Sequence, residues 1–127
     1  VLLVDGAGNV TEGPGFNLFA KAGDRWLTPG RGVLHGITRG TALELLDEMG
    51  VAAGAGTLSV AALADADEAF ITSTAGGIMA VRRIDGRALP AGAPGPVTEA
   101  LTRLYWEKHK DPAWTTLVAG LGADAGT

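Results

Sequence analysis

Short apolar segments separated by glycine-containing turns fill the start of the chain, and this pattern constrains the fold more than any other feature. Val1 to Val4 and Val10 flank DGAGN, whose Asp-Gly and Gly-Asn pairs supply the positive-φ residues of a tight turn. The segments NLFA and RWLT flank KAGD, which has the same turn chemistry. The sequence therefore predicts two successive β-hairpins.

A helical pattern replaces the strand pattern at GITRGTALELLDEMG. Apolar side chains recur there at helical spacing: Ala42, Leu45, Leu46 and Met49. Gly50 stands where a left-handed helix cap is expected. Further along, TLSV is short and extended, and AFITST and IMAVRRI predict strands. AALADADE predicts one or two helical turns, IDGRALP a turn, and the segment from about Pro96 a second helix. The order predicts a mixed α/β (α+β) fold.

Composition excludes several classes of function. The chain has 127 residues, 46% of them hydrophobic and 19% charged, which fits one compact domain with no membrane-spanning segment. A net charge of −4 with scattered basic residues disfavours nucleic-acid binding. The chain has no cysteine and only two histidines, which lie far apart, so the sequence predicts no metal site. The lack of cysteine also fits a reducing cytoplasm. We therefore expect a cytoplasmic protein without a metal, nucleic acid or membrane partner.

The segment RGVLHGITRG, at the start of the first predicted helix, is suited to binding an anion. A helix amino terminus directs unpaired N–H groups outward, so Gly36, Ile37 and Thr38 could offer backbone donors and a hydroxyl to a phosphate. The alternative is an ordinary threonine N-cap at Thr38. Arg39 stands in the first turn, where an acidic residue is more usual, so we expect it to face a nearby anion or to reach solvent.

Two other loops could contribute to the same site. TSTAGG, Thr72 to Gly77, joins hydroxyls to a small-residue turn whose backbone N–H groups could bind phosphate or carboxylate, although an ordinary turn is the alternative. TEGPGF places Glu12 beside a rigid Gly-Pro-Gly bend, with a solvated loop acid as the alternative. A carboxylate and two phosphate-binding loops are together what pyridoxal 5'-phosphate requires of a protein.

Four segments resemble class IV aminotransferases, the fold type IV family of pyridoxal phosphate enzymes that includes branched-chain, D-amino acid and (R)-amine transaminases. TEGPGFNLF, RGVLHGITRGTALELL, ITSTAGGIMAV and DGRALPAGAPGPVTEAL occur in the family's order and at similar spacing. The resemblance covers nearly the whole chain. It implies that residues 1–118 are the family's C-terminal, cofactor-binding pseudo-barrel domain, that residues 119–127 are a flexible tail, and that the N-terminal domain lies outside this chain.

The resemblance also implies cofactor-binding roles for individual residues. The acid of the TEG motif pairs with the pyridine nitrogen in this family, which points to Glu12. The family's L-x-GIT motif supports the ring with its leucine and holds the phosphate with backbone N–H groups and a hydroxyl. These roles are carried by Leu34, Gly36, Ile37 and Thr38.

The loop TSTAGG supplies the second group of implied contacts. Thr74, directly before the Ala-Gly pair, is expected to reach the phosphate, with Ser73 as its neighbour. Backbone N–H groups of Thr74 and Ala75 are expected to receive a substrate carboxylate. His35 is expected to point away from the ring, while Trp26, Trp106 and Tyr105 fit core or dimer-contact positions.

No catalytic residue is expected within these 127 residues. The family's Schiff-base lysine lies a few tens of residues upstream of its TEG motif, and so before Val1. The chain's lysines, Lys21, Lys108 and Lys110, are expected to be solvated surface charges. The fragment alone is therefore expected to be inactive.

The implied activity is transamination between an amine or amino acid and a keto acid by a homodimer. Phe16 and STAGGIMAV resemble the (R)-amine transaminases, although Ala80 departs from the proline frequent there. An aminodeoxychorismate lyase-type enzyme, or a non-catalytic cofactor-binding fragment without its lysine, are the alternatives.

Overall fold

A computed structural model describes residues 1–119 of the protein. Residues 120–127, which hold nearly all of the predicted flexible tail at 119–127, lie outside the described residues. The elements in chain order are β1 (Asn17–Ala22), β2 (Arg25–Pro29), α1 (Ile37–Glu48), β3 (Ala53–Gly56), α2 (Val60–Ala64), β4 (Ala69–Ser73), β5 (Gly77–Ala80), β6 (Arg83–Ile84), β7 (Arg87–Ala88) and α3 (Pro96–Lys108).

A five-stranded mixed sheet organises the fold. Its strand order is β3-β2-β1-β4-β5, with β2 and β3 parallel and the other neighbours antiparallel. Strands β6 and β7 form a separate hairpin whose turn, Asp85 and Gly86, has positive φ at both residues. The mixed α/β class is confirmed, whereas the complete pseudo-barrel stays a prediction.

The second predicted hairpin is confirmed, because β1 and β2 pair through a two-residue turn in which Gly23 has a φ of +63°. The first predicted hairpin is present but irregular. Val4 pairs with Val10, and the Leu3 N–H donates to the Glu12 carbonyl while the Thr11 N–H donates to the Leu3 carbonyl. TLSV is extended as far as Ser59, where Leu58 accepts the Val10 N–H, and its last residue, Val60, begins α2.

Helix α1 ends as its sequence predicts. Gly50 has a φ of +73°, its N–H donates to the Asp47 carbonyl, and the Val51 N–H donates to the Leu46 carbonyl. These bonds make a Schellman motif, which satisfies carbonyls that the end of the helix leaves without partners.

The two faces of the sheet carry separate hydrophobic clusters, because alternate residues of a strand point to opposite faces. Leu18 and Ala20 of β1 pack in one cluster with Leu58 and Leu63. The other cluster lies between the sheet and helices α1 and α3. Its buried members are Phe19, Trp26, Ala42, Leu45, Leu46, Phe70, Ile78 and Leu101. Asn17 and Thr72 lie opposite each other on β1 and β4. Each is two residues from a phenylalanine of this second cluster, Phe19 or Phe70, so both lie on the face of the sheet that is turned towards α1.

Glu68 fixes the start of α3 from a distant point in the chain. It is buried, and its carboxylate accepts the backbone N–H groups of Val97 and Thr98 together with the Thr98 hydroxyl. The other end of α3 packs the Tyr105 ring against Gly77, leaving no room for a β-carbon there. Helix α3 is thereby attached to the strand pair β4 and β5.

The aromatic predictions have mixed outcomes. Trp26 is a core residue, and Tyr105 is partly buried against the same cluster. Trp106 is half exposed, so its predicted role in dimer contact stays a prediction. Within residues 1–119, no helix combines the length and hydrophobicity needed to cross a membrane.

Candidate cofactor site

The Gly-Pro-Gly bend folds the chain tightly just after Glu12. Gly13 and Phe16 exchange two backbone hydrogen bonds of 3.2 Å, with Pro14 and Gly15 between them. Gly15 has a φ of +78°, which the third position of a type II turn requires. The bend returns the chain to the start of β1, so the acid lies beside Asn17.

One oxygen of the Glu12 carboxylate is held by two donors. Oε2 accepts the Leu34 N–H at 2.9 Å and the Asn17 Nδ2 at 3.2 Å. The same Asn17 nitrogen donates to the Leu34 carbonyl at 2.9 Å. Oε1 makes no hydrogen bond with any residue from 1 to 119, so it can accept one from a bound molecule.

The amino terminus of α1 presents unpaired backbone donors. Gly36 is the N-cap, no side chain caps the helix, and the first turn contains no acidic residue. The first hydrogen bond of the helix runs from the Gly40 N–H to the Gly36 carbonyl at 3.0 Å. The N–H groups of Ile37, Thr38 and Arg39 therefore have no partner within the helix. The alternative of a threonine N-cap at Thr38 is wrong, because Thr38 lies inside the first turn.

Gly36 is a glycine because Asn17 occupies the space beside it. A β-carbon on Gly36 would lie 2.6 Å from Asn17 Oδ1. Any larger residue would displace the amide that holds Glu12, which joins the acid and the helix terminus into one packed unit.

The turn between β4 and β5 forms the third part of the site. Ser73 Oγ accepts the Gly76 N–H at 2.9 Å, which fixes the turn, while Thr74 and Ala75 are exposed. Thr72 is 2% exposed, and its hydroxyl has no hydrogen-bond partner among the described residues. A buried hydroxyl without a protein partner is uncommon, and this one is suited to bonding a molecule bound in the site.

These three parts line one cavity of about 120 Å³, which we call the Glu12 cavity. Its lining residues are Glu12, Gly15, Phe16, Asn17, Leu34, Gly36, Ile37, Thr38, Arg39, Thr72, Ser73 and Thr74. Seven of the eight sequence-predicted site residues are thus brought together, and Ala75 is the one that does not line the cavity. The volume is below the roughly 300 Å³ of a typical small-molecule pocket.

Of the two alternatives expected for Arg39, reaching solvent is wrong, and facing a nearby anion stays a prediction. The residue is 7% exposed, and its Nη2 donates to the Pro29 carbonyl at 3.2 Å. Its Nε has no partner among the described residues. Burial lowers the pKa of the Arg39 guanidinium, since the charged form loses hydration.

The sequence-based site omits Asn17. It includes Thr72 only as part of the TSTAGG loop, and Arg39 only as a residue that faces an anion or solvent. Asn17 could have been found, because it starts the strand directly after the GPG bend and so returns to Glu12. Thr72 could have been assigned from the alternation of β4, which places it on the face of Phe70. The burial of Arg39 depends on how α1 packs on the sheet, and no local pattern signals it.

The other residues singled out in the sequence are either exposed at the cavity or do not line it. Leu34 is 73% exposed and Ile37 is 87% exposed, so neither is packed by residues 1–119. His35 is exposed and does not line the cavity. Lys21, Lys108 and Lys110 do not line it either, and Lys108 pairs with Glu48 at 3.0 Å.

The cavity fits the two ends of pyridoxal 5'-phosphate. Backbone N–H groups at a helix terminus with hydroxyls of Thr38 and Thr74 are donors suited to a phosphate. A carboxylate with one uncommitted oxygen is suited to a protonated ring nitrogen. The unpartnered Thr72 hydroxyl and the unpaired backbone donors at the start of α1 are groups suited to a bound ligand.

Comparison with known proteins agrees with this assignment. Residues 1–84 match the family model "Amino-transferase class IV". The chain is 38% identical over 125 residues to a branched-chain-amino-acid aminotransferase of Pseudomonas aeruginosa, covering 92% of this chain and 40% of that protein. It is 39% identical over 101 residues to a D-alanine aminotransferase of Bacillus licheniformis, covering 78% of this chain and 35% of that protein.

A solved structure shows the same fold. The branched-chain amino acid aminotransferase of Thermobaculum terrenum in its PLP-bound holo form superposes with a TM-score of 0.79 at 33% identity, covering 84% of this chain and 36% of that one. The chain thus spans about two fifths or less of the length of these relatives. The match over residues 1–84 and the shared fold show that this chain belongs to the class IV aminotransferase family.

Proposed function

We propose that the protein is a pyridoxal phosphate-dependent aminotransferase that moves an amino group between an amino acid or amine and a keto acid. In this proposal residues 1–118 are the C-terminal, cofactor-binding domain of a longer enzyme. The observation that carries the proposal is the Glu12 cavity, where one carboxylate and two groups of anion-binding donors line the same space. The branched-chain and D-alanine aminotransferases among the relatives support the reaction class.

The cofactor would be held at two kinds of contact. Glu12 Oε1 accepts a hydrogen bond from the ring nitrogen, and Leu34 contributes an apolar surface beside the ring. The N–H groups of Ile37 and Thr38, with the hydroxyls of Thr38 and Thr74, hold the phosphate. Gly36 leaves room for the Asn17 amide that holds Glu12, and Ser73 stabilises the turn that presents Thr74.

The bound cofactor would supply an electron sink for breaking a bond at the substrate α-carbon. Glu12 contributes by keeping a proton on the ring nitrogen, because a carboxylate at hydrogen-bond distance favours the charged form of a nearby base. Asn17 and the Leu34 N–H orient that carboxylate through Oε2. Both donors belong to the chain itself, so the protein and not the cofactor sets the orientation of the acid.

Several finer features belong to this proposal. The catalytic lysine lies upstream of Val1, as the resemblance to the family implies, and Lys21, Lys108 and Lys110 do not line the cavity. Backbone N–H groups of Thr74 and Ala75 receive the substrate carboxylate. The exposed apolar side chains of Leu34 and Ile37 are covered in the complete enzyme, which is a cytoplasmic homodimer.

Two observations bear on the amino donor. Phe16, an apolar residue in the cavity wall, supports an (R)-amine donor, whereas the relatives support branched-chain or D-amino acids. An (R)-arylamine lacks the α-carboxylate that both amino acids carry, and L-leucine and D-alanine have opposite configurations at the α-carbon. A panel of these three donors, with pyruvate or 2-oxoglutarate as acceptor, therefore separates the possibilities.

The decisive experiment measures transamination and cofactor attachment in the full-length protein. We expect the amino group to appear on the keto acid, and borohydride reduction to link the cofactor covalently to a lysine upstream of Val1. Attachment to Lys21, Lys108 or Lys110, or elimination of pyruvate from the substrate without amino transfer, would contradict the proposal. Size-exclusion chromatography with light scattering tests the homodimer.

A further inference from the structure

Arg39 is a buried cation for which the described residues provide no anion. It is 7% exposed, and its guanidinium makes one hydrogen bond, to the Pro29 carbonyl. Its Nε is buried without a partner. The ion pairs found among residues 1–119 are Arg103 with Glu99 and Lys108 with Glu48, so neither involves Arg39.

The position of Arg39 in its helix makes this charge more unfavourable. It is the third residue of α1, where the helix dipole is positive and an acidic residue is normally stabilising. No acidic residue lies in that first turn. The carboxylate that does line the cavity, Glu12, is bonded through Oε2 to Leu34 and Asn17 and not to Arg39. A buried charge without a counterion is costly, so this arrangement is suited to a bound anion.

A second buried group indicates the same location for the anion. Thr72, from β4, has a buried hydroxyl with no partner and lines the Glu12 cavity together with Arg39. The N–H groups of Ile37 and Thr38 also open at this terminus of α1. Two unpartnered polar groups from different elements thus border a helix terminus suited to phosphate.

We propose that Arg39 supplies the positive charge that retains the cofactor phosphate at the amino end of α1. Its charge acts through the low-dielectric wall of the cavity, and the backbone N–H groups and threonine hydroxyls make the direct contacts. Arg39 is therefore a positioning residue, and this inference rests on the function proposed above. A residue that only tied α1 to the end of β2 through Pro29 would affect stability but not selectivity for the phosphate.

The test compares pyridoxamine 5'-phosphate with pyridoxamine, which differ in the phosphate and do not bond covalently to lysine. Calorimetric titration of the full-length protein gives the two dissociation constants. Their ratio, the Kd for pyridoxamine divided by the Kd for pyridoxamine 5'-phosphate, measures the contribution of the phosphate to binding. Arg39→Gln removes the charge but keeps an amide donor for Pro29. We expect this variant to lower the ratio about tenfold or more, the size of a charge-assisted interaction.

Two variants serve as controls. Arg103→Met removes one positive charge from an exposed position and should leave the ratio unchanged. Arg39→Lys keeps the charge and should retain the ratio within about threefold. Thermal unfolding of wild-type protein should shift upward with inorganic phosphate, and less so for Arg39→Gln.

The outcomes are distinguishable. A wild-type protein that does not prefer pyridoxamine 5'-phosphate would contradict the proposed function itself. A preference that survives in Arg39→Gln would overturn the role of Arg39 and leave the function standing. If Arg39→Gln does not fold, Arg39→Lys decides, because loss of the ratio with the charge retained also overturns the inference.

Discussion

Replacing Asn17 tests whether its amide holds the proposed ring-binding acid in place. Asn17→Ala removes donations to Glu12 Oε2 at 3.2 Å and to the Leu34 carbonyl at 2.9 Å. A bond to a neutral carbonyl contributes about 0.5–1.5 kcal/mol, and one to a carboxylate about 1.5–3 kcal/mol. Glu12 is half-buried, so water replaces part of its bond, and we expect a loss of about 2–3 kcal/mol in the free energy of unfolding.

Asn17→Asp is the matched variant, because it keeps the shape of the side chain and replaces the donor by a second carboxylate. At the Asn17 position this carboxylate would lie close to Glu12 Oε2, where like charges repel by several kcal/mol even at an effective dielectric of about 20. We expect Asn17→Asp to be at least as destabilising as Asn17→Ala at neutral pH, and both to weaken pyridoxamine 5'-phosphate binding.

Urea unfolding of the full-length protein, followed by circular dichroism, gives the free energies, and calorimetric titration gives the affinities. The control is Asn9→Ala, at the chain's other asparagine, which does not line the Glu12 cavity and should cost less than about 1 kcal/mol. The reasoning would be refuted if Asn17→Ala lowered the free energy of unfolding by less than about 0.5 kcal/mol and Asn17→Asp bound pyridoxamine 5'-phosphate with unchanged affinity.

Further predictions concern two acidic residues that do not line the Glu12 cavity, Glu68 and Asp5. Glu68→Gln should destabilise the protein by about 1–3 kcal/mol in urea unfolding, because the buried carboxylate accepts three hydrogen bonds at the start of α3; an unchanged midpoint would contradict this. Hydrogen bonds from the backbone N–H groups of Asn9 and Ala7 lower the pKa of Asp5. The stability that Asp5 contributes is therefore present above about pH 4 and is lost as the pH falls through the lowered folded-state pKa. Asp5→Asn should flatten the dependence of Tm on pH in this acid range, and a slope identical to that of wild type would exclude the effect.

Elements with a local signal were predictable from the sequence. The KAGD turn fixes the β1–β2 hairpin through Gly23, and the apolar spacing up to Gly50 fixes α1 and its end. Pro96 marks the first residue of α3. In each case a residue with restricted or unusual backbone freedom stands at the boundary of the element.

Strand β3 had no such signal. Its sequence, AGAG, lacks the branched and aromatic side chains that indicate a strand, and it is a strand because it pairs in parallel with β2 across the length of α1. This pairing is a tertiary interaction that a local pattern does not contain.

The candidate site divides in the same way. The resemblance to class IV aminotransferases named the residues that are proposed to contact the cofactor and substrate, and all of them except Ala75 line one cavity. The place of Asn17 after the GPG bend indicates that it lies near Glu12, but its contact with Gly36 and the burial of Arg39 depend on how α1 packs against β1. Such supporting contacts are formed between elements distant in the chain.

The most direct test of the account is the protonation of the ring nitrogen in the bound cofactor, because Glu12 is proposed to hold that proton. Pyridoxamine 5'-phosphate labelled with ¹⁵N in the ring is bound to wild-type protein and to Glu12→Gln, and its nitrogen resonance is measured near neutral pH. The account predicts a protonated nitrogen in the wild type and a neutral one in Glu12→Gln. The same resonance in both proteins would contradict the pairing of Glu12 with the cofactor.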